Sequence, residues 1–455
     1  MEAFPPFTVV NGKVWPVLDV QPATYRFRVL NGSNARTYRL VLLRDGAPEL
    51  GRITQIGTDH GLLRTPVPVP ADGLVLASAE RADLLVDFSD LAPGSELTVL
   101  NTAAAPFDGS SFPAADAENA ADLESLLPYP QVLRFRVVGE AKPPAPIPRE
   151  LVTDYELPAA EALAGARRRA IALVERESDD EPSMLTMREL AVATDADGGP
   201  RVTRHRRRRN HRYRVVAAHF EDMTTFFPML GEYEVWQLIN LTGDTHPIHL
   251  HLDPFQILAR HPIRYEIPED GIEDRDLAAT ITLERDPDDE LDHAIDDNER
   301  GLKDTIRVNP NEIVEIAVRF TTYSGRYMYH CHILEHEDRD MMRPFVTMAS
   351  ELMPFTGLRS AHDTSESTSP SRARRARALS SYSRLLDEAV RVARRVPALQ
   401  AGLVHAQTAE VVAVREEPRV DGHAAGRLCP RRCGPSRRPR RPGRRCRPTS
   451  RRASW

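Results

Sequence analysis

Six of the fifteen histidines in this 455-residue sequence fall in two short groups. The first, TGDTHPIHLHLDPF, carries His246, His249 and His251; the second, GRYMYHCHILEHEDRDMM, carries His330, Cys331, His332 and His336, with Met341 five residues further on. Thiolate, imidazole and a weak thioether are the donors of a trigonal His2Cys copper centre with an axial Met. Cys331, His336 and Met341 supply three of those ligands from one stretch, and His246 is the natural fourth. His249 and His251 stand two apart, as do His330 and His332, so four imidazoles remain for a second, multi-metal cage. A lone HxH pair also suits zinc, but two groups with an intervening Cys and an offset Met point to copper. The other nine histidines (60, 205, 211, 219, 261, 293, 362, 405 and 423) are read as ordinary structural residues.

Such ligands need strands to hold them. Successive side chains of a strand point to opposite faces, so His330 and His332 share one face and Cys331 takes the other. Two metal centres can then flank one short piece of backbone, with a few covalent bonds from the Cys331 sulfur to the neighbouring imidazoles. The remaining sequence supplies strands in number. YRFRVLN (Tyr25–Asn31) alternates apolar and charged residues, and LLVDF (Leu84–Phe88) and VLRFRVV (Val132–Val138) are similar. YEVWQLINLT (Tyr233–Thr242) and EIVEIAVRF (Glu312–Phe320) continue the pattern after a Pro-rich run, KPPAPIPRE. Short strands with Gly, Pro, Asp and Asn punctuation argue for antiparallel sandwiches or barrels.

The expected organisation is a β domain over 1–140, a Pro-rich linker over 141–164, a ligand-bearing β domain over 165–355 and a basic tail over 356–455. Net charge supports separating the tail. Residues 361–455 hold 22 Arg and 8 acidic residues, so +14, which leaves −20 on the first 360 residues of a chain whose total is −6. Arg/Pro-rich, apolar-poor sequence cannot bury enough surface to fold, so the tail is read as largely disordered or as a non-native reading frame. One amphipathic segment (Leu385, Ala389, Val392, Val396) could form a short helix within it. Cys429, Cys433 and Cys446 resemble a metal cluster only loosely. The acidic stretch 266–300 reads as a solvated insertion, and RHRRRRNHRYR (Arg204–Arg214) as a solvated hairpin tip, which argues against nucleic acid. No apolar run approaches the ~20 residues of a membrane span. No signal peptide is visible, so the chain as given is expected in the cytoplasm, or exported if a preceding segment carries a signal.

HPIHLH and HCHILEHEDRDMM resemble the third-domain signatures of multicopper oxidases, in particular bacterial spore-coat-type laccases, bilirubin oxidase and phenoxazinone synthase. The resemblance extends through VNGKVWP, YRFRVLNGSNARTY, HFEDMTTFFPMLGEYEVW, GLKDTIRV and YSGRYMYHCH, covering roughly residues 8–350. It implies an all-β fold of two cupredoxin-like Greek-key sandwich or barrel domains, the second and third of such enzymes. It further implies a type 1 copper at His246, Cys331, His336 and Met341, a type 2 copper at His249, and a type 3 pair at His251, His330 and His332. Glu337 resembles an acid that delivers protons to dioxygen. The implied reaction couples one-electron oxidation of phenols, aminophenols or pyrroles at the type 1 copper to reduction of dioxygen to water. A complete enzyme of this kind carries four coppers and eight cage histidines, four of them in two HxH motifs of a first domain. No HxH motif precedes residue 246 here. The chain is therefore expected to be incomplete alone and to need a separately encoded first domain; the alternative is a non-catalytic copper-binding or electron-transfer remnant with only the type 1 site intact.

Overall fold

The computed structural model describes residues 2–349, apart from 111–128, 143–145, 153–157, 177–182, 194–198, 200, 207–208 and 284–294, together with 410–417. Period-two alternation of apolar residues does form sheets. The strand Arg81–Asp87 buries Ala82, Leu84 and Val86 and leaves the residues between them half-exposed. Its neighbour Thr24–Asn31 buries Phe27 and Val29 while Arg28 faces solvent. Among the described residues the α-helices are two short ones, Ala160–Ala164 and Leu334–Asp338, and the fold is all-β.

Two sheets enclose the first core. One runs in the order Lys13–Val14, Thr8–Val10, Glu410–Glu417, Thr24–Asn31, Arg81–Asp87, Ile53–Thr58, Gly61–Pro68. The other runs Val17–Val20, Gln131–Val137, Glu96–Asn101, Tyr38–Arg44, Ala47–Pro48, with Leu74–Leu76 also pairing on Tyr38–Arg44. Phe27, Phe88 and Phe135 meet between them, with ring centroids 5.0–5.4 Å apart. The strand Glu410–Glu417 was not anticipated from the sequence. The other expectations for the tail, its amphipathic segment and its three cysteines lie outside the described residues.

Eight strands between Arg167 and Arg319 close a barrel. Against it lies a four-stranded sheet in the order Thr305–Val308, His246–Leu250, Gly325–Cys331, Met342–Thr347. Both faces of Glu312–Arg319 are buried, with Val314, Ile316 and Val318 in the cluster under the four-stranded sheet and Ile313 in a second cluster. That double burial explains why so many of its residues are apolar. Trp236 centres the first cluster, its ring 5.1 Å from Tyr329 and 5.8 Å from Phe345.

The basic hairpin forms as expected, Val202–Arg206 pairing with Arg209–Ala217. It is not wholly solvated, because Arg204 is buried and donates to Gln237 Oε1 at 3.1 Å. The arginine stem enters the barrel wall, where its neighbours turn inward. Of the acidic stretch, 284–294 lie outside the described residues, whereas Ala279–Leu283 form a barrel strand and Glu299 is buried. That correction has a simple cause, since Glu299 neutralises Arg260 at 2.9 Å and Arg307 at 2.8 Å.

The first pair of sheets and the barrel assembly meet along residues 298–307. Thr58 Oγ1 and the His60 backbone NH both donate to the Leu302 carbonyl, at 2.8 and 3.0 Å. A β-carbon at Gly301 would overlap Thr58, so glycine is what admits this approach. Lys303 Nζ reaches Asp59 at 3.1 Å and Glu80 at 3.2 Å, and Arg307 also pairs with Glu80.

Candidate copper site

The strand His246–Leu250 places its histidines by parity. His246 and Ile248 point to one face, His249 and the following His251 to the other. It pairs antiparallel with Gly325–Cys331 in the register Ile248↔Cys331 and His249↔His330. Cys331 therefore joins His246 on one side of the sheet, and His330 joins His249 and His251 on the other. The helix Leu334–Asp338 then returns His336 to the Cys331 side.

His246 Nδ1, Cys331 Sγ and His336 Nδ1 form a buried triangle with edges of 3.7, 3.7 and 3.3 Å. Such edges subtend angles of about 105–120° at an ion ~2.0 Å from each nitrogen and ~2.3 Å from sulfur. That is the shape of a trigonal centre. The outer nitrogens are already occupied. His246 Nε2 donates to Thr242 Oγ1 at 2.7 Å, whose own proton goes to Asn240 Oδ1. His336 Nε2 donates to Glu2 Oε1 at 3.0 Å. Both Nδ1 atoms thus present lone pairs to the same point, and burial with the His336 neighbour holds His246 well below the ordinary histidine range. Burial pushes the Cys331 thiol up, so a cation must displace its proton. Soft sulfur, two imidazoles and a buried pocket fit copper. Met341 is fully buried in the same cluster, its backbone NH donating to the His336 carbonyl and its own carbonyl accepting from the Cys331 NH. Those two bonds tie the Met341 backbone to both Cys331 and His336.

On the opposite face, ligand nitrogens of His249, His251 and His330 lie within 4.8 Å of one another. His330 Nδ1 lies 3.0 Å from the Cys331 carbonyl and 3.2 Å from Glu337 Oε2, so its proton is held there. His330 Nε2 then faces His251 Nε2 at 3.1 Å, within hydrogen-bonding distance. His332 flanks the group, its ring 5.5 Å from His330 and 5.8 Å from His249. Burial and mutual repulsion lower His251, His330 and His332, His330 to about 4. Burial raises Glu337. Every residue picked from the two motifs is thus brought to one side or the other of Cys331.

The depressed histidines give the metal-free chain a pH signature. Between about pH 6.5 and 4 the unfolded chain binds a proton at His330 that the folded chain refuses, so folding stability falls as pH falls through that window. With its folded-state value lowered to about 4, His330 alone removes about 2 kcal/mol between neutral pH and about pH 5. Urea unfolding of the metal-free protein at the two pH values reads this directly; an unchanged or higher midpoint in acid contradicts it.

Sequence reading missed Asp304, His60, Arg81 and Glu2, all of which touch a ligand or the partner of one. His249 Nδ1 donates to the Asp304 carbonyl at 2.9 Å, with Thr305 Oγ1 at 3.1 Å. His60, taken as structural, contacts the Asp304 carboxylate at 2.9 Å. Its only signal was that it is the lone histidine before residue 205.

A family model described as multicopper oxidase matches residues 200–351. A laccase of Bacillus subtilis (strain 168) is 34% identical over 339 residues, covering 74% of this chain and 53% of that protein. A Haloferax volcanii laccase is 33% identical, covering 74% of this chain and 46% of its own length. The chain therefore spans about half the length of the curated relatives it matches. A solved structure of the McoA multicopper oxidase 2F4 variant from Aquifex aeolicus superposes with a TM-score of 0.51 at 27% identity, over 74% of this chain and 59% of that one. Two ligand groups on opposite faces of one strand pair, the matched family model and these relatives agree: the chain belongs to the multicopper oxidase family.

Proposed function

We propose that this chain takes electrons singly from a small aromatic reductant at a type 1 copper held by His246, Cys331, His336 and Met341. His249 (type 2) and His251, His330 and His332 (type 3) would hold the further coppers of a laccase-like assembly, which would supply the reduction of dioxygen to water. Residues 1–140 and 165–355 are its two cupredoxin-like units. The observation that carries the reading is Cys331, a thiolate donor of one buried triangle whose sequence neighbours are imidazoles of the other group.

Copper at Cys331 supplies a one-electron acceptor. The protein supplies its setting. Burial of all three triangle residues excludes water. Thr242 and Glu2 fix the two imidazoles in the tautomer that offers Nδ1. From Cys331 the main chain leads in a few bonds to His330 and His332. Glu337 stands 3.2 Å from His330 Nδ1, where a carboxyl raised by burial can hold a proton near the second group.

Four imidazoles are half of the eight that the family resemblance implies, and this sequence contains two HxH motifs. We assign the remaining donors to a cupredoxin segment outside these 455 residues, so dioxygen reduction belongs to that assembly and donor oxidation to this chain. The test is anaerobic addition of an aminophenol or hydroquinone to the copper-loaded chain. The visible band should bleach with one electron taken per chain. A band that none of these donors reduces overturns the assignment.

A further inference from the structure

Among the described residues the first pair of sheets holds none of the candidate copper ligands, yet Arg81 reaches the second histidine group in two steps. Arg81 lies on the strand Arg81–Asp87 and places both terminal nitrogens on the two Asp304 oxygens, each at 2.7 Å. A paired guanidinium–carboxylate contact of this kind fixes orientation as well as distance. His60 Nε2 adds a third contact at 2.9 Å and Thr305 Oγ1 a fourth at 2.9 Å. Asp59 accepts the Asp304 and Thr305 backbone NH groups at 3.2 and 3.3 Å. Residue 304 is thus held at its side chain and its main chain by residues more than 200 positions earlier. Its carbonyl is what receives the His249 Nδ1 proton. The carboxylate also stands 3.5 Å from the same nitrogen.

A histidine can bind metal through only the nitrogen that carries no proton, and the partner of the other nitrogen decides which that is. We propose that Asp304, clamped by Arg81 and His60, is the positioning residue of His249: it keeps the proton on Nδ1 and turns Nε2 toward His251 and His330. Docking of the first sheets onto the barrel assembly then sets the metal affinity of the second histidine group while leaving the Cys331 triangle untouched. The Arg81 clamp gives the ligand-free sheets a part in the metal chemistry. The inference rests on the copper reading above, but its central statement, the tautomer of His249, concerns the metal-free chain.

Two variants of the full chain test it. Arg81→Gln removes the charge and the paired contact; Arg81→Lys restores the charge without the fork. The first measurement is the 15N spectrum of histidine-labelled, metal-free protein. His249 should be the Nδ1–H tautomer in the parent chain and a tautomer mixture in Arg81→Gln, with Arg81→Lys between them and the His246 and His336 signals unmoved. The second is a copper titration followed at the Cys331 absorption and, beyond the first equivalent, by electron paramagnetic resonance. Arg81→Gln should keep the Cys331 band and lose roughly 10- to 100-fold in affinity for further copper, the usual cost of an outer partner. An unchanged His249 tautomer in a folded Arg81→Gln chain overturns the proposal. Movement of all the histidine signals together with the Cys331 band also overturns it, since that marks general loosening. If the parent chain binds no copper beyond the first, the second group needs the donors assigned above to a segment outside these residues, and the tautomer result alone decides the role of Asp304.

Discussion

Replacing Cys331 by serine removes the intense visible absorption of the copper-loaded chain completely. It also weakens the first copper by more than the roughly 10–100-fold that loss of an outer partner costs. The band requires a thiolate on the metal, and Cys331 is the one cysteine before residue 429. Its sulfur stands 3.7 Å from both His246 Nδ1 and His336 Nδ1, so no other soft anion is placed to replace it. The substitution is close to isosteric and the surrounding cluster of Trp236, Tyr329 and Phe345 is untouched, so the chain still folds. Far-ultraviolet circular dichroism separates loss of the site from loss of the fold. A blue band surviving in the variant would place the copper elsewhere.

Replacing Lys303 by methionine destabilises the chain by about 3–5 kcal/mol, the usual cost of deleting one member of a buried ion pair. Lys303 Nζ lies between Asp59 and Glu80, whose side chains are essentially inaccessible, and both carboxylates belong to the opposing sheets. Methionine fills the same volume but leaves those two charges facing each other in a medium that screens them poorly. Glu80 is held below the ordinary carboxylate range by Arg307 and Lys303 against the opposing effect of its burial. Without Lys303 that balance moves toward burial, and the carboxyl is driven toward its protonated form. The deficit should therefore shrink as pH falls, the opposite of the histidine effect. Urea unfolding of parent and variant across pH measures both; a variant within about 0.5 kcal/mol of the parent contradicts the role of the network.

Much of the candidate site was legible because strand parity is a short-range rule. Cys331 and its two flanking histidines are sorted to opposite faces by the backbone alone, and the spacing of His246, His249 and His251 repeats the same sorting on the paired strand. What lay beyond reading was whatever depends on how sheets dock. Nothing in GLKDTIRV says that Lys303 meets Asp59 and Glu80, or that Asp304 meets Arg81 across 223 positions. Arg204 was read as solvated because a run of arginines in sequence usually is, whereas the barrel wall turned its stem inward. Glu2, which closes the outer edge of His336, precedes every recognisable motif.

The most direct test is copper content and visible spectrum of one sample, reconstituted anaerobically with Cu(I) and then reoxidised, beside the Cys331→Ser chain. The geometry of His246, Cys331 and His336 requires one tightly held copper per chain with an intense blue band that the variant lacks. Tightly bound copper without that band, or no bound copper, contradicts it.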